Sequence, residues 1–470
     1  MKRIFSTLCL ALLSLTALAD EGMWLPSLIS SRIDDMRAKG FQLTAEDIYS
    51  INKASLKDAV MLFDDGCTAE LISPEGLLIT NHHCGYGAIQ RLSSVEHDYL
   101  TDGFWAQSRE EELPNENLNV KFLKRMEDIT ERLAAGESRE EILEKARENG
   151  RYKASIEQMY YGNQQFLFVY EQFDDVRLVG TPPSSIGKFG GDTDNWMWPR
   201  HTGDFSMFRI YAGKDNRPAE YSTKNVPYRA DEYLRISLDG YEEGDFAMIM
   251  GFPGSTQRYM TSYEIDRMLT ITNPQRIFIR GERQAILKED MAASAKVRIQ
   301  YASKYAQSSN YWKNSIGKSR GIRRLDVKGR KQEQEAAFTA WAAKNTLPTE
   351  GYSNALNLIR ESVEETAPYF ASSQYLSEAI GRSVEILAPA RLAVSKKGGE
   401  LTEALKAFYK DYNMPTDRRV AKRMFRIVGE NCKELPSVFA EVIGKRFGGD
   451  TDAYVDYLYD NSVFATEEGT

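Results

Sequence analysis

Histidine and cysteine are scarce in this chain, with four of each in 470 residues. No His-Glu-x-x-His and no Cys-x-x-Cys spacing occurs, so the motifs that announce a zinc centre are missing. After residue 19 no run is apolar enough to cross a bilayer, which takes roughly 20 residues. Positive charge is not in excess either: 60 basic residues face 68 acidic ones, a formal net charge of −8. That balance argues against nucleic acid as a partner. Fixed-period repeats and long low-complexity linkers are also absent.

Among the features present, the first nineteen residues, "MKRIFSTLCLALLSLTALA", read as a secretory signal peptide. Lys2 and Arg3 form the charged start, Ile4 to Leu15 the apolar run, and Ala17-Leu18-Ala19 the small-x-small cleavage site. Cys9 lies inside the apolar run, which counts against a lipoprotein. An exported protein, periplasmic or secreted, is expected. The rest of the chain is too long for one ordinary core, so two or more domains are expected. Aromatic residues at 11% and hydrophobic ones at 42% fit packed globular structure. Three cysteines survive processing. In an oxidising compartment Cys67 and Cys84 are the natural disulfide pair, contributing about 3 kcal/mol in the chain-entropy model. Cys432, in "GENCKEL", is expected to be a buried free thiol.

Two kinds of pattern divide the chain. Short apolar runs separated by turn residues, such as "AVMLF", "CTAELIS" and "GLLIT" after Pro74-Glu75-Gly76, carry the strand-and-hairpin signature. "QFLFVYEQF", "DVRLVGTPP", "FSMFRIYA" and "DFAMIMGFPGS" continue it. Between them, Val120 to Ala154 is charged and helical in period, and reads as an exposed helical excursion. After about Met268 the sequence is rich in Ala, Glu, Lys, Arg and Leu with 3.6-residue periodicity. The fold class expected is α+β, a β-rich first half followed by a helical second half.

The chemistry is concentrated in "LLITNHHCGYG", Leu77 to Gly87. Two adjacent histidines at a strand end are most simply a structural pair. Zinc binding by both is disfavoured, because neighbours on a strand point to opposite faces. The third reading is a general base in a serine-peptidase triad, which needs a rigid mount, an orienting carboxylate and a nucleophile. The turn resembles the Thr-x-x-His-Cys turn of chymotrypsin-like peptidases, whose Cys bonds to the preceding strand. By that match His83 is the base and His82 a packing neighbour. The orienting acid is then Asp204, opening the strand "GDFSMFRIYA"; Asp192 and Asp194 in "FGGDTDNWMW" are rivals. Ser255, after "GFPG", lacks a Gly-x-Ser-Gly setting whose amides would stabilise an oxyanion. Residues 257–470 contain no such setting. The triad is incomplete.

Together, "TNHHCGYGAIQ", "GKFGGDTDNWMWPRHTGDFSMFRIY", "GFPGST" and "SSNYWKNSIG" resemble the exported bacterial dipeptidyl-peptidase 7 and dipeptidyl-peptidase 11 family. The resemblance runs over nearly all of residues 20–470. It implies a chymotrypsin-like double β-barrel, its second barrel incomplete here, with a large inserted α-helical domain. The divisions expected are a signal peptide at 1–19, a catalytic domain at 20–277 and a helical insertion at 278–470. His83 and Asp204 carry over as base and orienting acid. The nucleophilic serine is expected beyond Thr470, together with the oxyanion-hole amides, and the 470 residues alone are expected to be inactive. Asn195 and Trp196 carry over as the pocket for the free amino terminus of a peptide, and Asn310 as a second acceptor from the helical domain. Without the resemblance, Trp196 and Trp198 read as core or interface aromatics and Asn310 as a helix-surface residue. Peptides with a free amino terminus are the expected partners, a homodimer is the family expectation, and no metal or organic cofactor is implied. The competing readings are a chymotrypsin-like endopeptidase and a peptide-binding pseudopeptidase.

Overall fold

A computed structural model of the chain describes residues 23–255, 257–345 and 350–470. The segment 1–19, read above as a signal peptide, lies outside the described residues, as does Thr256 of "GFPGST". Eleven strands are described: β1 (Val60–Phe63), β2 (Cys67–Leu71), β3 (Leu77–Thr80), β4 (Phe104–Trp105), β5 (Leu113–Pro114), β6 (Val120–Asp128), β7 (Lys153–Met159), β8 (Gln164–Phe173), β9 (Val176–Thr181), β10 (Ser206–Ala212) and β11 (Val226–Pro227). From Ser262 onward the described residues contain helices and no strand. The class is α+β, with antiparallel pairing and a large helical region. Two compact units share the chain. One takes the described residues up to Leu78 with Asn119–Val176 and Arg209–Phe252; the other takes Ile79–Leu118, Arg177–Phe208 and Pro253–Thr470.

In the first unit the strands run β2-β1-β6-β8-β7. Its centre is β8, "QFLFVYEQF", buried on both faces because successive side chains of a strand point to opposite sides. Phe166, Phe168 and Tyr170 pack with Leu123 and Met126 on one face. Leu167 and Val169 pack with Ile129, Ile142 and Ala146 on the other, under the helix Arg139–Arg147.

Two expectations are corrected in this unit. The charged stretch Val120 to Ala154 is not one helical excursion: Val120–Asp128 is a nine-residue strand and Lys153–Met159 another. The helical period belongs to Thr130–Ala134 and Arg139–Arg147, which are helices; the strand before them is masked by a β-bulge between Leu123 and Arg125. A bulge adds one residue and shifts the in-out alternation, so the buried positions become Val120, Phe122, Leu123 and Met126. Second, "DFAMIMGFPGS" forms no regular strand. It pairs with no described strand through its backbone, and an unpaired strand leaves its amides and carbonyls unsatisfied. Phe252 N–H instead donates to Thr68 Oγ1 at 2.8 Å.

The second unit holds the helices. Ser262–Arg267, a π-helical turn at Met268–Thr272 and Asn273–Ala293 follow one another without a break. Ser294 caps the next helix, Ala295–Arg324, by accepting from Val297 N–H. Ile279, Leu287, Tyr301, Met424 and Val455 belong to the core these helices share with Met414–Asn431 and Thr451–Asn461. Asp417 sits inside that core and accepts from Glu385 N–H and Ile386 N–H, both at 2.8 Å, and from Tyr459 Oη at 2.6 Å. Cys432 is free and buried, as expected.

Candidate active site

Strand β3 ends at Thr80, Asn81 keeps an extended backbone, and a helix begins at once: His82–Leu92, "HHCGYGAIQRL". The two histidines are therefore the first two residues of a helix, not the last of a strand. Consecutive residues in a helix differ by about 100° in direction, and burial separates this pair. His82 is 1% exposed, whereas the His83 side chain is 68% exposed. Gly85 allows the helix to lie close to β10, since a Cβ there would meet Ser206 Oγ at 2.5 Å and the Phe208 ring at 3.1 Å. Ser206 Oγ in turn donates to the Asn81 carbonyl at 3.0 Å. Cys67 and Cys84 are both disulfide-bonded.

Asp204 lies two residues before β10 rather than within it. His83 N–H donates to its Oδ1 at 2.9 Å, and His83 Nδ1 meets its Oδ2 at 2.6 Å. Asn81 Nδ2 adds bonds to the Asp204 carbonyl and carboxylate at 3.1 and 3.4 Å. Burial pushes the Asp204 pKa up, but the hydrogen bond and charge of the His83 ring, together with the His83 amide, outweigh it and hold the carboxyl below its ordinary value. An ionised carboxylate accepts, so Nδ1 carries the proton and Nε2 is left as the acceptor. Such an arrangement can take a proton from a hydroxyl brought to Nε2. Asn81 was not singled out in the sequence, though its position directly before the histidines was a signal for it.

His82 is set apart from this chemistry. Its ring packs against Gly187, where a Cβ would come within 2.4 Å, and lies edge-on to Tyr86 at 5.4 Å. Burial, opposed by the charge of Asp204, pushes its pKa down to about 4. It is neutral and packed.

Of the rival acids, Asp192 is engaged elsewhere. In the short helix Gly191–Asp194 it accepts from Tyr305 Oη at 2.7 Å and from Ser309 Oγ. The same stretch leads to Asn195 and Trp196, which meet Asn310 of the helix Ala295–Arg324. Asn195 Nδ2 and Trp196 Nε1 both donate to Asn310 Oδ1, at 3.2 and 2.9 Å. Arg200, missed in the sequence, donates to Asn195 Oδ1 at 3.3 Å. Trp196 is 53% exposed, with its backbone at φ 56°. The structure thus brings together His83 with Asp204, and Asn195 with Trp196 and Asn310. No cluster of three metal-ligating side chains occurs among the described residues, and no described helix is long and apolar enough to cross a membrane.

A family model described as Peptidase S46 matches residues 19–470. The chain is 48% identical to a dipeptidyl-peptidase 7 of Phocaeicola vulgatus, over 98% of its own length and 70% of the relative's. It is 42% identical to an Asp/Glu-specific dipeptidyl-peptidase of Flavobacterium psychrophilum, over 91% and 64%. Among solved structures, the Porphyromonas endodontalis DPP11 in complex with the dipeptide Arg-Asp superposes with a TM-score of 0.85 at 37% identity, covering 96% of this chain and 69% of that one. The chain therefore spans about two thirds of the length of these relatives.

Proposed function

This chain belongs to the peptidase S46 family, and from that membership we propose that it is the larger part of an exported serine-type dipeptidyl-peptidase, which releases dipeptides from the free amino end of peptides. The observation that carries the reading is the double clasp of Asp204 on His83, with the amide at 2.9 Å and Nδ1 at 2.6 Å. Asp204 holds the tautomer and offsets the imidazolium charge while His83 Nε2 takes the proton of a serine hydroxyl and later returns it to the leaving amine. That serine is contributed by sequence following Thr470, in a Gly-x-Ser-Gly turn.

The exopeptidase half of the proposal rests on Asn195, Trp196 and Asn310, which form one hydrogen-bonded group in a single compact unit. An amide oxygen accepts from the peptide ammonium and the indole walls the pocket. Export follows from the segment 1–19, and a homodimer is proposed from the family; a monomer mass by light scattering would remove the latter.

The experiment uses the enzyme including its downstream sequence and a dipeptidyl reporter with a free amino end. His83→Ala or Asp204→Ala should leave the fold intact and lower turnover by about 10⁴-fold or more. Near-normal cleavage by either variant refutes the assignment. Equal cleavage of amino-blocked and free peptides by the wild type refutes the exopeptidase half. A stop codon directly after Thr470 favours a peptide-binding pseudopeptidase instead.

A further inference from the structure

The second unit contains a cavity of about 330 Å³ lined by Lys188, Asp192, Lys288, Met291, Arg298 and Tyr305, among others. None of His83, Asp204, Asn195, Trp196 or Asn310 lines it. Its charges do not cancel. Arg298 is neutralised by Asp98 at 2.7 Å and also donates to Thr101 Oγ1 at 2.9 Å. Asp192 spends one carboxylate oxygen on Tyr305 Oη and the other on Ser309 Oγ. Two ammonium groups remain against that single carboxylate. Lys188 Nζ lies 5.6 Å from the Tyr86 ring centre and 5.9 Å from that of Tyr305, and Lys288 Nζ lies 5.6 Å from the same Tyr305 ring. Neither ammonium has a hydrogen-bond acceptor or ion-pair partner among the described residues.

An ammonium carries three N–H donors, and ring faces satisfy its charge but not all of those donors. Half-burying Lys188 without an acceptor is costly, and the exposed Lys288 adds a second charge to the same lining. Two ammonium groups converging on one tyrosine, at the wall of a cavity of small-ligand size, form a receptor for oxygen-rich negative charge. We infer that this cavity binds a small oxyanion, a phosphate or a carboxylate group, held by Lys188 and Lys288 with Tyr305 between them. Burial pushes the Lys188 pKa down and Lys288 adds to that, with Asp192 opposing; a bound anion reverses the balance and keeps the ammonium charged.

The test measures binding directly, without turnover. Inorganic phosphate and acetate are titrated into the protein at matched ionic strength in chloride, followed by calorimetry and by Tm. Saturable binding of at least one, with a rise in Tm, is expected, and the one that binds identifies the ligand chemistry. Lys188→Met and Lys288→Gln should each weaken it at least tenfold. Lys288 is exposed, so its variant tests the site even if Lys188→Met fails to fold. Absence of saturable binding by both anions overturns the inference, and so does unchanged affinity in Lys288→Gln.

Discussion

Acidification should destabilise this protein through His82 before it touches Asp204. In the folded chain His82 is 1% exposed, and its Nε2 has no hydrogen-bond partner among the described residues. Protonating it would place a charge between Gly187 and Tyr86. Burial accordingly pushes its pKa from 6.5 down to about 4, with the Asp204 charge opposing and those of Lys188 and His83 adding. The unfolded chain takes up the proton near the ordinary value and the folded chain does not. Between those limits the unfolded state binds more protons, so stability falls as pH falls. One pH step is worth about 1.36 kcal/mol, which makes the loss roughly 3 kcal/mol by pH 4, after which this group contributes nothing more.

Asp204 acts in the same direction but lower on the pH scale. Its carboxyl is held below 3.8, so its contribution is complete above that value and is lost only as pH falls further. The two windows do not overlap. His82→Phe keeps a flat ring in the packed site and removes the titration. Any overpacking by the larger ring shifts stability by a constant, of the order of 1–3 kcal/mol, without changing its slope with pH. Urea unfolding followed by tryptophan fluorescence at pH 7, 5.5 and 4.5 gives the two profiles. The wild type should lose about 2 kcal/mol more than His82→Phe between pH 7 and 4.5. Parallel profiles would show that burial of His82 is not what depresses its basicity, and the reasoning would fail.

Two further substitutions probe the frame around the site. Asp417→Ala strips the acceptor from Glu385 N–H, Ile386 N–H and Tyr459 Oη in a core position; an orphaned buried donor costs about 1–3 kcal/mol, so unfolding by urea should show a loss of about 3–5 kcal/mol. A loss under 1 kcal/mol would mean that the core relaxes around the gap. Replacing Cys67 and Cys84 together by serine should lower stability by about 3 kcal/mol and leave the helical circular dichroism signal unchanged; a melt identical to that of the wild type contradicts it.

What could be read in advance followed from how local each signal was. The pairing of His83 with Asp204 joins residues 121 apart in sequence, yet each stood in a short motif with its own chemistry. The helices after Ser262 announced themselves through long-range periodicity, because amphipathic helices repeat the same requirement every turn. Features that depend on a neighbour were lost. The helical signal of Thr130–Ala134 and Arg139–Arg147 was real but was extended too far back over β6, whose alternation is broken by a bulge set by pairing with β8 and not by the residues of β6 alone. Asp245 to Ser255 has the composition of a strand but no backbone pairing with a described strand. The helix starting at His82 was hidden because "HHCGYG" contains two glycines, poor helix formers. Close packing decides the matter: Gly85 is needed where Ser206 and Phe208 approach.

Asn310 is where the lone-pair inventory sharpens the proposal. A side-chain amide oxygen has two acceptor sites, and in Asn310 both are taken, by Asn195 Nδ2 and Trp196 Nε1. It therefore holds the pocket instead of offering its oxygen to a ligand. Asn195 Oδ1 has one site committed to Arg200 and one left. A single remaining acceptor cannot satisfy an ammonium with three donors. The remaining donors need acceptors beyond these three side chains. Trp196 keeps a left-handed backbone, which costs a non-glycine residue of order 1–3 kcal/mol and persists only where surroundings enforce it; Asn310 is part of that enforcement. In the enzyme with its downstream sequence, Asn310→Ala should raise KM for free-amino reporters about tenfold or more with a smaller change in kcat. Asn310→Asp preserves both acceptor sites for the two donors and should restore KM most of the way. If the aspartate variant is as impaired as the alanine one, Asn310 does not act by accepting from Asn195 and Trp196, and its position on the helix is what matters.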